Sequence, residues 1–381
     1  MPKKKLRLLL VVDYFYPHWT GISKSIYYLV CLIHQDFDIT VLTIRHTKNL
    51  KKEETILSTK IVREDYIFSL SRSKYSINQI LRFISLVKHH DIVFINSPCA
   101  NILPLSLISK IFDKKLIILH HGDLILPKGI MNRLIERVFD VSSFASFSLA
   151  DKVSTFTKDY ARHSRILKYY LSKFQPIIIP PPQKLVSKKL QHTKRLRMLQ
   201  NLERDKIFFG IVGRFVEEKG FDILFDAIPS IIKSLPNAHF LFAGQTKIPY
   251  ENFYKKNLSK LRRIKKHITF LGLLNDRELI QFYKTITFIV FPSRSDCFPL
   301  AQVEAISLGI PPIVSDIPGA RAIVKKTGFG LCFKKENPKD LASVVIGAPS
   351  KRKSLLDNYP KALRLLDLDK NVKTIKKLIE K

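Results

Sequence analysis

Residues 207–228 read IFFGIVGRFVEEKGFDILFDAI. An apolar run ends at Gly213-Arg214, acids and Lys219-Gly220 follow, and apolar residues then recur at helical spacing, which predicts a buried strand, a turn over Gly213–Gly220 and a helix. In open α/β sheets ligands bind beyond the carboxyl ends of strands. Arg214, with its planar fork, and Lys219, as a point charge, would stand where a diphosphate is neutralised. An ordinary solvated strand–helix loop has the same outline, so the reading needs a second segment.

Residues 291–317, FPSRSDCFPLAQVEAISLGIPPIVSDI, supply it by setting two carboxylates eight positions apart around the start of another helix. Pro299 and Leu300 open that helix. Proline is tolerated in a first turn, and the N–H groups of Phe298, Leu300 and Ala301, with the positive end of the helix dipole, suit an anion. A phosphate there has Asp296, in a turn, on one side and Glu304, a little over one turn into the helix, on the other. Acids so close to a phosphate repel it unless they accept hydrogen bonds from hydroxyls, so a ligand with sugar hydroxyls on both flanks of a diphosphate fits. A nucleotide sugar is such a ligand. Taken alone the segment is also compatible with a buried helix and a stray acid at each end; beside the 207–228 loop the ligand-binding reading is the better one.

With HFLFAGQ at 239–245 and ITFLGLLNDRELIQFYKTITFIV at 268–290, these blocks resemble the carboxyl-terminal half of family 4 glycosyltransferases. The resemblance implies a retaining enzyme of the GT-B fold, two doubly wound Rossmann-like α/β domains facing across a cleft. The family has an acid, seven residues and a glutamate here; this chain has Asp296, where glutamate is more usual, and Glu304. By that likeness the first acid meets hydroxyls of the donor sugar, Glu304 holds the nucleotide ribose, and Arg214 and Lys219 hold the diphosphate. Gly213 and Gly272 join the substrate-binding candidates.

The amino-terminal half fits the same architecture. LRLLLVVDYFYPHWTGISKSIYYLVCLI, residues 6–33, predicts a buried strand over Leu6–Val12, a loop with Pro17 and Gly21, and an amphipathic helix from about Ser23. Family members commonly carry paired glycines in this loop; here Gly21 follows Thr20 and is the candidate for close backbone approach to the ligands. Asp38–Ile44, DIVFIN at 91–96 and LIILHHGD at 116–123 read as further buried strands. His121-Gly122 matches the family's histidine, which contacts the donor sugar, although His120 beside it could hold the place.

With 381 residues the chain has room for two cores, and alternating strands and helices argue for parallel sheets wound on both faces. The boundaries expected are 1–183 for an acceptor-side domain, 184–358 for a donor-side domain, and 359–381 for a helix returning to the first, with QPIIIPPP at 175–182 as a stiff connector. No apolar run approaches the length of a spanning helix, and the start, MPKKKLRLLLVVDYFYP, breaks into strand and loop, so a cytoplasmic location is expected. Cys31, Cys99, Cys297 and Cys332 show no metal-like pairing and suit a reducing compartment.

The 65 basic residues outnumber 32 acids, a net charge of +33 that attracts polyanions. Neither a nucleic-acid module nor aromatics interleaved with a basic patch are present, so no specific nucleic acid is expected. Runs such as Met1–Lys5 and Lys188–Arg197 read as solvated faces. Residues 124–150, LILPKGIMNRLIERVFDVSSFASFSLA, mix apolar side chains with Lys128, Arg133 and Arg137; such a helix either lies in a bilayer interface or packs on its own sheet. An anionic membrane surface, on its inner face, is therefore a candidate partner. No metal or other cofactor is expected beyond the nucleotide sugar as co-substrate, since Asp36-Phe37-Asp38 leads into a strand and Asp367-Leu368-Asp369 sits in the terminal helix. The expected activity is retaining sugar transfer from a nucleotide-diphosphate donor to a glycan or lipid-linked acceptor hydroxyl, in cell-surface glycan or glycolipid synthesis. A GT-B sugar-nucleotide epimerase or hydrolase, and a non-catalytic sugar-nucleotide-binding subunit, are the alternatives.

Overall fold

The structure, a computed structural model, describes residues 5–70, 73–126, 129–182, 205–248 and 251–380. Lys128, Met1–Lys4 and the run Lys188–Arg197 lie outside these residues. The chain divides into two compact units, Met1–Ile179 with Leu368–Lys381, and Pro180–Asp367. Each is a parallel or, in the first unit, mostly parallel sheet with helices on both faces, the Rossmann-like arrangement of the GT-B fold.

The first unit contains β1 (Arg7–Val11), β2 (Asp38–Ile44), β3 (Glu53–Ile56), β4 (Thr59–Glu64), β7 (Ile92–Ser97), β8 (Lys115–His120), β9 (Lys152–Thr155) and β10 (Phe174–Pro176), while β5 (Phe68–Leu70) and β6 (Ser73–Tyr75) make a separate hairpin. The sheet order is β10-β9-β8-β7-β1-β2-β4-β3, and only β3 runs antiparallel. The central strand β1 is a continuous apolar run because both faces are covered. Leu9 and Val11 join a core with Phe83, Ile102 and Phe147, whereas Leu8 and Leu10, on the opposite face, are equally inaccessible.

In the second unit β11 (Ile207–Val212), β12 (Ala238–Ala243), β13 (Ile268–Gly272), β14 (Phe288–Phe291), β15 (Pro312–Ser315) and β16 (Leu331–Phe333) are all parallel, in the order β13-β12-β11-β14-β15-β16. Strand order therefore reverses between β11 and β14, the topological switch point of a doubly wound sheet. Phe209 of β11 stacks on Phe240 of β12 and Phe288 of β14, with ring centroids 5.4 and 5.6 Å apart. Helices Phe221–Ser234 and Pro338–Asp357 cover one face; Asp276–Thr285, Leu300–Ser307 and Pro318–Thr327 cover the other.

Several boundaries differ from the sequence expectation. The first helix begins at Gly21, earlier than Ser23, because Thr20 caps it: Thr20 Oγ1 accepts the Ser23 N–H at 3.0 Å and Ser23 Oγ accepts the Thr20 N–H at 2.7 Å. The junction between units falls at the start of the proline run, between Ile179 and Pro180. The return to the first unit starts at Leu368 and not at Tyr359, since helix Tyr359–Leu365 stays with the second unit, where the Tyr359 hydroxyl donates to the Ser307 carbonyl at 3.2 Å. Helix Leu368–Glu380 packs beside Gly21–Ile33, buries Ile375, Leu378 and Ile379, and takes a 2.8 Å hydrogen bond from Lys115 Nζ at the Ile379 carbonyl. Among the described residues no helix is long and apolar enough to cross a membrane.

Candidate active site

Two loops leave the carboxyl ends of β11 and β14 at the switch point. The first, Gly213–Gly220, passes through a 3-10 turn at Glu217–Lys219 into helix Phe221–Ser234. Gly220 is left-handed, with φ +63°, and a Cβ there would lie 2.0 Å from the Pro292 carbonyl oxygen of the second loop. Only glycine allows that approach. The second loop runs from Pro292 to Pro299, the N-cap of helix Leu300–Ser307.

Arg294 fastens the loops together. Its Nη1 and Nη2 donate to the two Asp222 carboxylate oxygens at 2.8 and 2.7 Å, Nη1 also reaches the Glu217 carbonyl at 2.8 Å, and Nε donates to Glu336 at 3.0 Å. Its backbone N–H adds a 2.8 Å bond to the Glu218 carbonyl. The Asp222 hydrogen bonds raise the guanidinium's affinity for its proton above the ordinary value. Across the same junction Lys219 Nζ donates to Asp296 Oδ2 at 2.6 Å. Burial disfavours the ammonium charge, but Asp296 and Glu218 outweigh it and hold the Lys219 pKa above its usual value. Arg214 stands more open, its guanidinium 3.9 Å from Glu218.

Beyond this junction the helix N-terminus is set from two sides. The first helical bonds run from Gln302 and Val303 to the Pro299 carbonyl, so the Leu300 and Ala301 N–H groups precede the hydrogen-bonded ladder. Glu304 is buried one turn on, and the Tyr283 hydroxyl of helix Asp276–Thr285 donates to its Oε2 at 2.8 Å, fixing the carboxylate's direction. Gln302 Nε2 donates to the Ala320 carbonyl at 3.0 Å, binding this helix to Pro318–Thr327. At Gly319 the backbones touch: a Cβ would lie 1.9 Å from the Asp296 carbonyl oxygen and 2.4 Å from that of Cys297.

In the first unit His121 follows β8. Asn96 Nδ2 donates to the Val11 carbonyl at 2.9 Å, which turns Asn96 Oδ1 toward His121 Nε2 at 3.0 Å. His121 thus donates from Nε2 and keeps Nδ1 as its acceptor. Burial, and next the neighbouring His120, lower its pKa to about 3, so the ring is neutral. His120 is fully buried, with Nδ1 3.2 Å from Ser97 Oγ and Nε2 3.1 Å from Asp123 Oδ1. Gly21 is exposed in the first helical turn after the β1 loop, with open space around its α-carbon.

The structure brings together Gly213, Arg214, Lys219, Asp296, Phe298, Pro299, Leu300, Ala301 and Glu304 on adjoining loops of the second unit. Gly272 lies two strands from β11, at the end of β13, where its carbonyl accepts the Gly244 N–H at 2.9 Å. His121 and Gly21 belong to the first unit. Sequence reasoning missed Arg294, Asp222 and Tyr283. Arg294 stood in the quoted loop, but nothing local distinguishes a basic residue that ties loops from one that meets a ligand. Among the described residues no group of three or more His, Cys, Asp or Glu side chains gathers as for a metal ion.

Residues 194–361 match the family model described as glycosyl transferases group 1. An uncharacterized glycosyltransferase of Methanocaldococcus jannaschii is 34% identical over 184 residues, 47% of this chain and 49% of the relative. The Escherichia coli UDP-Gal:alpha-D-GlcNAc-diphosphoundecaprenol alpha-1,3-galactosyltransferase is 32% identical over 135 residues, 35% of this chain and 34% of the relative. The matched segment thus spans about half the length, or less, of these curated relatives. The crystal structure of Anabaena HepE in complex with UDP-glucose superposes with a TM-score of 0.75 at 14% identity, covering 98% of each chain. The likeness therefore has two tiers: the GT-B fold along the whole chain, and the sequence of group 1 glycosyl transferases over the half that holds Arg214, Lys219, Asp296 and Glu304.

Proposed function

We propose that the protein transfers a sugar from a nucleoside diphosphate sugar to an acceptor hydroxyl with retention at the anomeric carbon. The observation that carries this reading is the pair of fastened loops at the β11/β14 switch point, which offers Arg214, Lys219 and a helix N-terminus to an anion and keeps Glu304 beside them for hydroxyls. The diphosphate gathers charge as the glycosidic bond breaks. Arg214, Lys219 and the Leu300 and Ala301 N–H groups then bind the transition state more tightly than the ground state, without a metal ion. Glu304, aimed by Tyr283, accepts from ribose hydroxyls and takes no part in bond making. Asp296, gripped by Lys219, meets the sugar. No general base is assigned, since the departing phosphate itself takes the acceptor proton.

The Escherichia coli relative's name specifies an acceptor on diphosphoundecaprenol, which supports a lipid-linked or glycan acceptor in surface-glycan synthesis and a place at the inner face of a membrane. The test is a donor screen by thermal shift with several nucleotide sugars, then mass spectrometry of product after adding acceptors. Transfer in the wild type and an on the order of 10²-fold loss in each of Arg214→Ala and Lys219→Ala is expected. Nucleotide release without an acceptor points instead to hydrolysis, and binding without turnover to a non-catalytic subunit.

A further inference from the structure

We propose that the outer face of helix Ile130–Leu149 is a docking surface for an anionic lipid bilayer. The helix sorts its side chains in an unusual way. Ile130, Met131, Leu134, Val138, Val141 and Phe144 are exposed, Ile130 at 89% and Val141 at 70%, and steps of three and four residues align most of them in one stripe. Arg133 and Arg137 are exposed beside that stripe. The core side is met by Phe139, Ser143, Ser146 and Phe147.

Both acids of the helix are held by partners outside the stripe. Glu136 Oε1 accepts the Leu126 N–H at 2.6 Å, and Asp140 Oδ1 pairs with Arg165 at 3.0 Å. The exposed face is thus apolar and cationic together. Monomeric soluble proteins rarely leave so many neighbouring apolar side chains in water. A bilayer with anionic headgroups answers both features at once: the acyl boundary takes the aliphatic side chains and the headgroups take the guanidinium groups. The inner side of the same helix is bonded to the segment that follows His121, through Glu136 and through Arg165 Nη2 on the Leu124 carbonyl at 2.8 Å. This docking rests on the membrane-face placement proposed above, and flotation tests it apart from the sugar-transfer chemistry.

Flotation of the full chain with vesicles of phosphatidylcholine alone, or mixed with phosphatidylglycerol, tests the proposal. Binding is expected to the anionic vesicles and to weaken with salt. Arg133→Ala/Arg137→Ala should lower partitioning about 25-fold, about fivefold per residue. Leu134→Ser/Val138→Ser/Val141→Ser should lower it by on the order of 10-fold for each side chain removed. These positions are exposed, so melting should be unchanged. Lys351→Ala/Arg352→Ala, the same charge loss on an exposed stretch of the second unit, should bind like wild type. Equal loss in that control, or wild-type binding by either helix variant, overturns the proposal. So does a concentration-dependent dimer that the serine variant abolishes, which would assign the face to a second copy of the chain.

Discussion

Gly319→Ala places a methyl group against the backbone of the loop that carries Asp296. The new carbon would sit 1.9 Å from the Asp296 carbonyl oxygen, where real contacts stay beyond 3.0 Å, so one of the two backbones must retreat by a little over 1 Å. Helix Pro318–Thr327 cannot easily give way, because Ala320, Ile323 and Val324 are packed into the core. The loop moves instead, and with it the carboxylate that Lys219 holds at 2.6 Å. Overpacking of this kind costs about 1–3 kcal/mol against about 5–15 kcal/mol of domain stability, so the variant folds. Its melting temperature should fall by roughly 2–4 °C per kcal/mol. A displacement of about 1 Å at a reacting centre costs on the order of 10²-fold in rate. The assay pairs initial rates on the donor returned by the screen with calorimetric affinity for its nucleoside diphosphate and with thermal melting. Gly347→Ala, in helix Pro338–Asp357 where nothing lies within 4 Å, is the control and should change neither rate nor affinity. Wild-type turnover and melting in Gly319→Ala would refute the argued contact.

Arg294→Ala should raise the donor KM and lower kcat together by more than about tenfold, and Arg294→Lys should restore only part, because an ammonium cannot reproduce the two-pronged bond to Asp222; full activity in the alanine variant counts against a fastened pair of loops. Glu304→Gln should weaken nucleoside diphosphate binding by about 1–3 kcal/mol, and Tyr283→Phe by about 1 kcal/mol, both read by calorimetry. The His121 ring should titrate near about 3 by NMR, far below the ordinary 6.5; a midpoint at the ordinary value contradicts its burial. Because the unfolded chain takes up that proton near 6.5 and the folded chain does not, His121's contribution to stability is whole above 6.5 and declines as pH falls from there toward 3.

The parts of the fold that were legible in the sequence are those decided locally. Apolar runs ending in glycine or polar residues mark β1, β2, β7, β8 and β11 because a strand covered on both faces has no other composition, and Pro299-Leu300 marks a helix start because proline lacks the N–H a later position needs. What escaped is decided by distant partners. Arg294 and Asp222 are separated by 72 positions and Tyr283 and Glu304 by 21, so neither pairing has a local signature. The stripe of helix Ile130–Leu149 carries the spacing of a core face, and only the tertiary arrangement reveals which side is wet. The late return at Leu368 escaped for a similar reason: the amphipathic pattern continues through both terminal helices, and the bend at Leu366 and Asp367, where the chain changes partner, carries no proline or glycine.

Helix Leu368–Glu380 completes a unit whose other residues are translated first. While the ribosome is still reading the second unit, the first has its sheet but lacks the side chains of Ile375, Leu378 and Ile379 and the ion pair of Lys376 with Asp36. The early half must therefore wait, partly uncovered, until residues 368–380 have been made, and a stop codon before Leu368 would damage the portion of the protein made longest before. Expression of residues 1–179 alone should accordingly yield aggregated material that a separate peptide spanning 368–381 rescues.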